Sequence, residues 1–131
     1  MIAGLSGAEL GSIVSAAMDS NLAAVRLMLA MGWPAGAPGE RGVTALHWAA
    51  FHGDAVIARE LLRHGAPTGV RDVQYNATPM GWAIHGSLRG WHPERGEYAG
   101  VVEALLDAGV EAPAGEVETT AAVREVLSRR R

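Results

Sequence analysis

Imidazole, carboxylate and indole are the groups in this chain best placed to do chemistry. The 131 residues contain no Cys and no Lys, and all 11 basic residues are Arg. Thiolate nucleophiles, Cys-type zinc sites and disulfides are therefore excluded. Asp19 and three of the five His, His52, His85 and His92, form the most reactive set. A His whose tautomer and charge are set by a carboxylate can move a proton or hold an anion. If the chain is an enzyme, His52, His85 and Asp19 are the expected catalytic groups. His52 or His85 would be the base and Asp19 the orienting acid, in an isomerisation, cyclisation or hydration. The bland reading of Asp19 with His52 is a partly exposed ion pair worth under about 1 kcal/mol. No Gly-rich phosphate loop, Gly-x-Ser-x-Gly elbow or His-Glu-x-x-His is present. Without a compact His-x-x-x-His, a metal site from His52, His85, His92 and Asp19 is not expected, and neither is a cofactor.

Residues 86–98 collect groups that a packed helical core does not need: Trp91, His92, Pro93, Tyr98, several Gly and both signs of charge. Loops carry function more often than the elements they join. Trp91 either covers a core or waits for a ligand, and both readings stand. Arg89, Glu94 and Arg95 read as a solvated rim, and Tyr75, on the turn before, is placed to face the same area.

These residues must be positioned by a chain that repeats itself. Ser15-Ala16-Ala17-Met18-Asp19-Ser20-Asn21 aligns with Trp48-Ala49-Ala50-Phe51-His52-Gly53-Asp54 at an offset of 48 − 15 = 33. The same offset carries Arg26 to Arg59, Leu29 to Leu62, Gly32 to Gly65 and Pro34 to Pro67. Thr78-Pro79-Met80-Gly81-Trp82-Ala83 follows Thr44-Ala45-Leu46-His47-Trp48-Ala49 at 78 − 44 = 34. The offset then widens to 109 − 65 = 44, so the third copy has gained ten residues between Ile84 and Val101. Each copy predicts two short helices. Thr44 caps the first, and Val56, Ile57, Leu61 and Leu62 mark one face of the second. Gly65 ends it in a left-handed turn. Ser6 and Glu9 have capping-box spacing ahead of Leu10. Pro67, Gly69, Asp72 and Asn76 mark a projecting loop or hairpin.

The run Gly42-Val43-Thr44-Ala45-Leu46-His47-Trp48-Ala49-Ala50-x-x-Gly53-Asp54, followed by Glu60-Leu61-Leu62-x-x-Gly65-Ala66, resembles an ankyrin repeat, of the small bacterial type. The resemblance covers roughly residues 8–112. It implies an all-α solenoid in a single domain spanning the chain. Repeat 1 is expected over about 6–35, repeat 2 over about 42–75 and repeat 3 over about 76–112, with an insertion at 86–97. A C-terminal capping helix is expected within 116–129, where Ala122 to Leu127 resembles a second helix alone. Copy three departs from the pattern by placing Gly81 at the signature His, and copy one lacks the Thr-Pro-Leu-His opening.

In such a stack the two positions after the Ala-Ala pair face the concave side. That implies two ladders, Met18–Phe51–His85 and Asp19–His52–Gly86, with Asp19 beside His52 across one repeat step. The signature His47 is expected to tie adjacent turns, Trp48 and Trp82 to pack between repeats, and His64 to favour a helix C-terminus. The resemblance implies an interaction module that binds a protein partner on its concave face and the insertion. Asp19, Phe51, His52, Tyr75, His85, Trp91 and His92 are the expected binding residues. The alternative is a small-molecule-binding pocket or an enzyme site on the same surface.

Composition narrows the remaining classes. A net charge of −3 argues against nucleic acid as a partner, and 49% apolar content argues against disorder. No apolar run approaches ~18 residues, so no membrane span is expected. Met1 to Leu5 lack a positive n-region, so no signal peptide is expected. A monomer in the cytoplasm suits a Cys-free chain of this kind. The Arg129–Arg131 tail should complement a helix C-terminus.

Overall fold

The computed structural model describes residues 12–91, 96–115 and 117–130. His92, Glu94, Arg95 and the Ser6–Glu9 capping box lie outside the described residues. Within them are seven α-helices and no strand: α1 (Ser12–Met18), α2 (Leu22–Ala30), α3 (Ala45–His52), α4 (Ala55–Arg63), α5 (Pro79–Arg89), α6 (Tyr98–Asp107) and α7 (Ala121–Arg129). They pair as α1–α2, α3–α4 and α5–α6. The first members α1, α3 and α5 stack as an inner row, the second members form an outer row, and α7 closes on α6.

Small residues recurring at the repeat offset let the rows approach closely. Ala16, Ala49 and Ala83 occupy one layer of the inner row, and Ile13, Leu46 and Met80 another, all buried. Leu61, Val101, Val102, Leu105, Val123 and Leu127 fill the space behind. The helix ends repeat as faithfully. Gly32, Gly65 and Gly109 adopt φ of 90°, 82° and 98° after α2, α4 and α6. In each case the next N–H reaches back to a last-turn carbonyl (Trp33 to Met28, Ala66 to Leu61, Val110 to Leu105). This is the Schellman closure, which glycine makes without a Cβ clash. Side-chain bonds between copies also keep the period: Ser20 Oγ to Asp54 at 2.7 Å and Arg26 Nε to Glu60 at 3.3 Å both span 34 residues.

The insertion begins as helix. Residues 86–89 continue α5, and Gly86 permits it to lie on the end of α3: a Cβ there would sit 2.4 Å from the Phe51 carbonyl oxygen. Chain direction is recovered at the same place. The Tyr98 hydroxyl donates to the Phe51 carbonyl at 2.7 Å, and the Glu97 N–H donates to the Gly53 carbonyl at 2.8 Å. Farther on, Arg130 pairs with Asp107 of α6 at 2.8 Å, so the basic tail also ties the last helix to its neighbour.

Candidate functional site: an aromatic concave groove

Two turns project from the inner row, one ending in the 3-10 segment Glu40–Gly42 and one built around residues 70–78. Between them and the inner helices lies a groove of about 1230 Å³. Val14 and Met18 of α1, Trp48 and Phe51 of α3, and Trp82 and His85 of α5 form its floor. Arg41, Gln74 and Tyr75 form its walls, with Trp91 at the far end.

Five of the protein's seven Phe, Trp and Tyr rings meet here. Trp82 lies edge-on to Trp48 and Phe51, with ring centres 5.5 and 5.9 Å apart, and 6.3 Å from Tyr75. Trp91 reaches Trp48, Phe51 and His52 at 5.5, 5.6 and 5.3 Å. Such tilted and T-shaped contacts satisfy the ring quadrupoles and hold the side chains in place. Tyr75 and Trp91 nevertheless remain 67% and 60% exposed. Trp91 therefore covers the aromatic floor without entering the helical core.

The second turn is held by a buried carboxylate. Asp72 accepts from the Tyr75 N–H at 2.7 Å, the Ala77 N–H at 3.0 Å and the Trp82 indole N–H at 3.1 Å. Burial alone would raise its pKa. The Tyr75 amide, the Trp82 indole, the Ala77 amide and the nearby His47 outweigh that and keep it below the ordinary value. His47 completes the connection. Its Nδ1 accepts from the Thr44 N–H at 3.0 Å, which leaves the proton on Nε2, and Nε2–H donates to the Ala77 carbonyl at 3.0 Å. Thr44 and His47 thus form a capping box with an imidazole in place of the usual Glu or Gln. Burial lowers the His47 pKa, against the opposing pull of the Ala77 carbonyl and the Asp72 charge.

The residues expected to act together divide. Phe51, Tyr75, His85 and Trp91 all line the groove. His52 sits at its α1 edge, stacked on Trp48 with ring centres 5.7 Å apart. Its Nε2–H donates to the Met18 carbonyl at 2.8 Å, across 34 residues. Asp19 is exposed just beyond the end of α1, and no ion pair joins it to His52. Among the described residues no cluster of three or more His, Asp or Glu is arranged to hold a metal. Asp72 carries more structure than its type suggested, since turn-forming Asp residues are common and its bond to Trp82 spans ten residues. Arg41 and Gln74 were also missed, though the 33 residues between them were a signal: Arg41 Nη1 donates to Gln74 Oε1 at 2.6 Å.

Residues 13–114 match the family model for ankyrin repeats, in three copies. The chain belongs to the ankyrin-repeat family. It is also 33% identical over 99 residues to the palmitoyltransferase Hip14 of Drosophila melanogaster. That match takes in 76% of this chain and 14% of the fly protein, so the chain spans about one-seventh of its relative's length. The ankyrin pattern accounts for His47, whose bond to Ala77 ties one inner helix to the following turn. His64 likewise uses Nδ1–H on the Glu60 carbonyl at 2.9 Å, at the C-terminus of α4. Ankyrin repeats are in general protein-interaction modules. No helix among the described residues is long and apolar enough to cross a membrane.

Proposed function

We propose that this ankyrin stack is a docking module whose concave groove holds an extended segment of a protein partner. The carrying observation is the continuous ring surface from Tyr75 through Trp82, Trp48 and Phe51 to Trp91, two of whose members are well exposed. Binding energy in protein interfaces concentrates on Trp, Tyr and Arg anchors. The groove offers three of these types within one depression. Its volume of about 1230 Å³ also exceeds the roughly 300–1,000 Å³ usual for a small-molecule site. Phe51, Tyr75, His85 and Trp91 are the contacts we assign, with Asp19 and His52 at the edge and His92 outside the described residues. A monomer in a cytoplasmic setting is the form in which the groove would be open to a partner.

The proton-transfer alternative lacks comparable support, because His52 spends its Nε2 proton on a backbone carbonyl and has no carboxylate partner among the described residues. Selection of a displayed library of random 12-residue peptides on the purified chain tests the docking reading. Peptides enriched on the native protein should bind the Trp91→Ala variant at least tenfold more weakly, with unchanged helicity by circular dichroism. Selected peptides that bind both proteins equally would place the interface elsewhere.

A further inference from the structure

The second projecting turn is fastened to α3 by one titratable side chain. His47 Nδ1 accepts from the Thr44 N–H, within 2.9 Å of the Thr44 hydroxyl as well, while Nε2–H holds the Ala77 carbonyl. Ala77 closes the turn on Asp72 from both sides: the Asp72 N–H donates to its carbonyl at 3.1 Å, and its own N–H donates to the Asp72 carboxylate. The same carboxylate anchors Trp82. One chain of bonds therefore runs from the N-terminus of α3 through His47 to the turn that carries Gln74 and Tyr75. We propose that His47 is an acid-sensitive latch, whose protonation uncouples the 72–77 turn from α3 and so loosens one wall of the groove.

The chemistry follows from donor and acceptor counting. A neutral imidazole has one donor and one acceptor nitrogen, and both are used here. The imidazolium has two donors and no acceptor. Its new Nδ1–H faces the Thr44 N–H, donor against donor. The Thr44 hydroxyl, 2.9 Å from Nδ1, can turn to accept that proton, but the Thr44 N–H then loses its acceptor at a residue only 1% exposed. The ring itself is completely buried, so the added charge loses its hydration as well. The orphaned Thr44 N–H and the buried charge are both relieved when the ring turns out of its seat, which gives up the bond to Ala77. Burial already favours the neutral form, as the lowered pKa of His47 records.

Other charges do not rescue the cation. Asp72 is the charged group that acts on His47, and its pull is weaker than the burial it opposes. Helix α1 carries no titratable side chain. On α4, Arg59 bonds the Gly100 carbonyl and Glu60 is taken by Arg26 and Arg63. Arg89 of α5 pairs with Glu118, and Glu103 of α6 lies 3.9 Å from Arg130. His85 opens into the groove, Arg41 is spent on Gln74 and Arg71 on the Asn76 carbonyl. Glu40 and Tyr75 are exposed on the groove walls, and Tyr98 is bonded to Phe51.

The latch is tested on the intact chain, with no ligand, by nuclear magnetic resonance between pH 7.5 and 4.5. The His47 ring nitrogens report its protonation. Amide exchange at Tyr75 and Ala77, and the Trp82 indole proton, report the turn. The expected result is a shift of the Trp82 indole proton and at least a tenfold loss of protection at Ala77, with a midpoint below pH 6.5 that coincides with His47 protonation. Amides of α6 and α7 should stay protected. Gln offers one acceptor and one donor without titrating, so His47→Gln should abolish the step. A step that persists in that variant, a change confined to the Thr44 amide, or simultaneous exposure of α6 and α7 would each overturn the latch. The wild-type ring signals decide the matter even if the variant folds poorly. Failure here would leave the peptide-docking reading standing, because the turn is read without a ligand.

Discussion

The two projecting turns share a backbone outline and differ in what holds them. In the first, the Gly39 N–H donates to the Val43 carbonyl at 2.8 Å; in the second, the Asp72 N–H donates to the Ala77 carbonyl at 3.1 Å. Gly42 and Asn76 supply the positive φ just before each closing residue. Against α1 the first turn then rests on apolar contact, with Gly39 so close to Val14 that a Cβ would lie 3.0 Å from its Cγ1, while its Arg41 bonds the second turn through the Val73 N–H and Gln74. The second is bound by a buried carboxylate and a buried imidazole. Val14 holds the place in copy one that His47 holds in copy two, at an offset of 33, and Gly81 holds it in copy three. One outline is therefore reached by close packing or by a polar network, and the network alone responds to protons.

Removing the anchor of each turn should separate the two modes most sharply. Asp72→Ala leaves the Tyr75 and Ala77 amides and the Trp82 indole without their acceptor. Each buried donor left unpaired costs about 1–3 kcal/mol. Allowing for water reaching the turn, urea unfolding should show a loss of about 3 kcal/mol. Gly39→Ala only presses a methyl on Val14 and the Val43 carbonyl, for about 1 kcal/mol. Equal losses would mean that the carboxylate contributes no more than packing does.

The pH dependence of stability should come next. His47 has a folded pKa below its ordinary 6.5, so folding favours its neutral form. Its contribution is fully present above about pH 6.5 and is lost as pH falls from there towards the lowered folded value. Below that value both states carry the proton and the loss stops. Asp72, held down by its donors against burial, and Glu60, held down chiefly by its hydrogen bond from Arg63, behave differently. Their contributions are present above the ordinary carboxylate values of 3.8 and 4.5 and vanish as pH falls through the depressed folded ones. The urea midpoint should therefore drop between pH 6.5 and 5 in the native chain and flatten over that interval in His47→Gln. An unchanged slope in the variant would remove the second turn as the source.

How much of this could be read from residue order depends on what each feature rests on. Offsets of 33 and 34 with Ala, Thr and Gly at fixed places force the same helix pair to recur, so the solenoid was legible. Phe51, His85 and Trp91 were legible as groove residues because they follow the small pair or fall in the insertion. The expected Asp19–His52 pairing does not form. Side chains on a helix lean towards its N-terminus, so the His52 ring covers the carbonyl of Met18, one position earlier than alignment alone suggests. Asp19 has by then left the helix. Gly86 and Ser87 read as loop by propensity, yet close packing on the Phe51 carbonyl makes them helical. Asp72 looked like a turn former because its bond to Trp82 exists only once the helix is docked.

The smallest effect tests whether the turns are equally strained. Arg41 and Asn76 both sit in the left-handed region, at φ of 57° and 52°. That region costs an ordinary side chain about 1–2 kcal/mol, whereas Asn enters it readily through its own local hydrogen bonds. Glycine removes the strain but costs about 0.5–1 kcal/mol in chain entropy. Arg41→Gly should therefore gain about 0.5 kcal/mol, less whatever the exposed bond to Gln74 contributes. Asn76→Gly should be neutral or slightly destabilising. The two variants, compared by urea unfolding at pH 7.5 where His47 is neutral, should thus differ in sign. If Asn76→Gly gained as much as Arg41→Gly, the second turn would be storing strain that its network holds in place, and the network would then be opposing its own backbone.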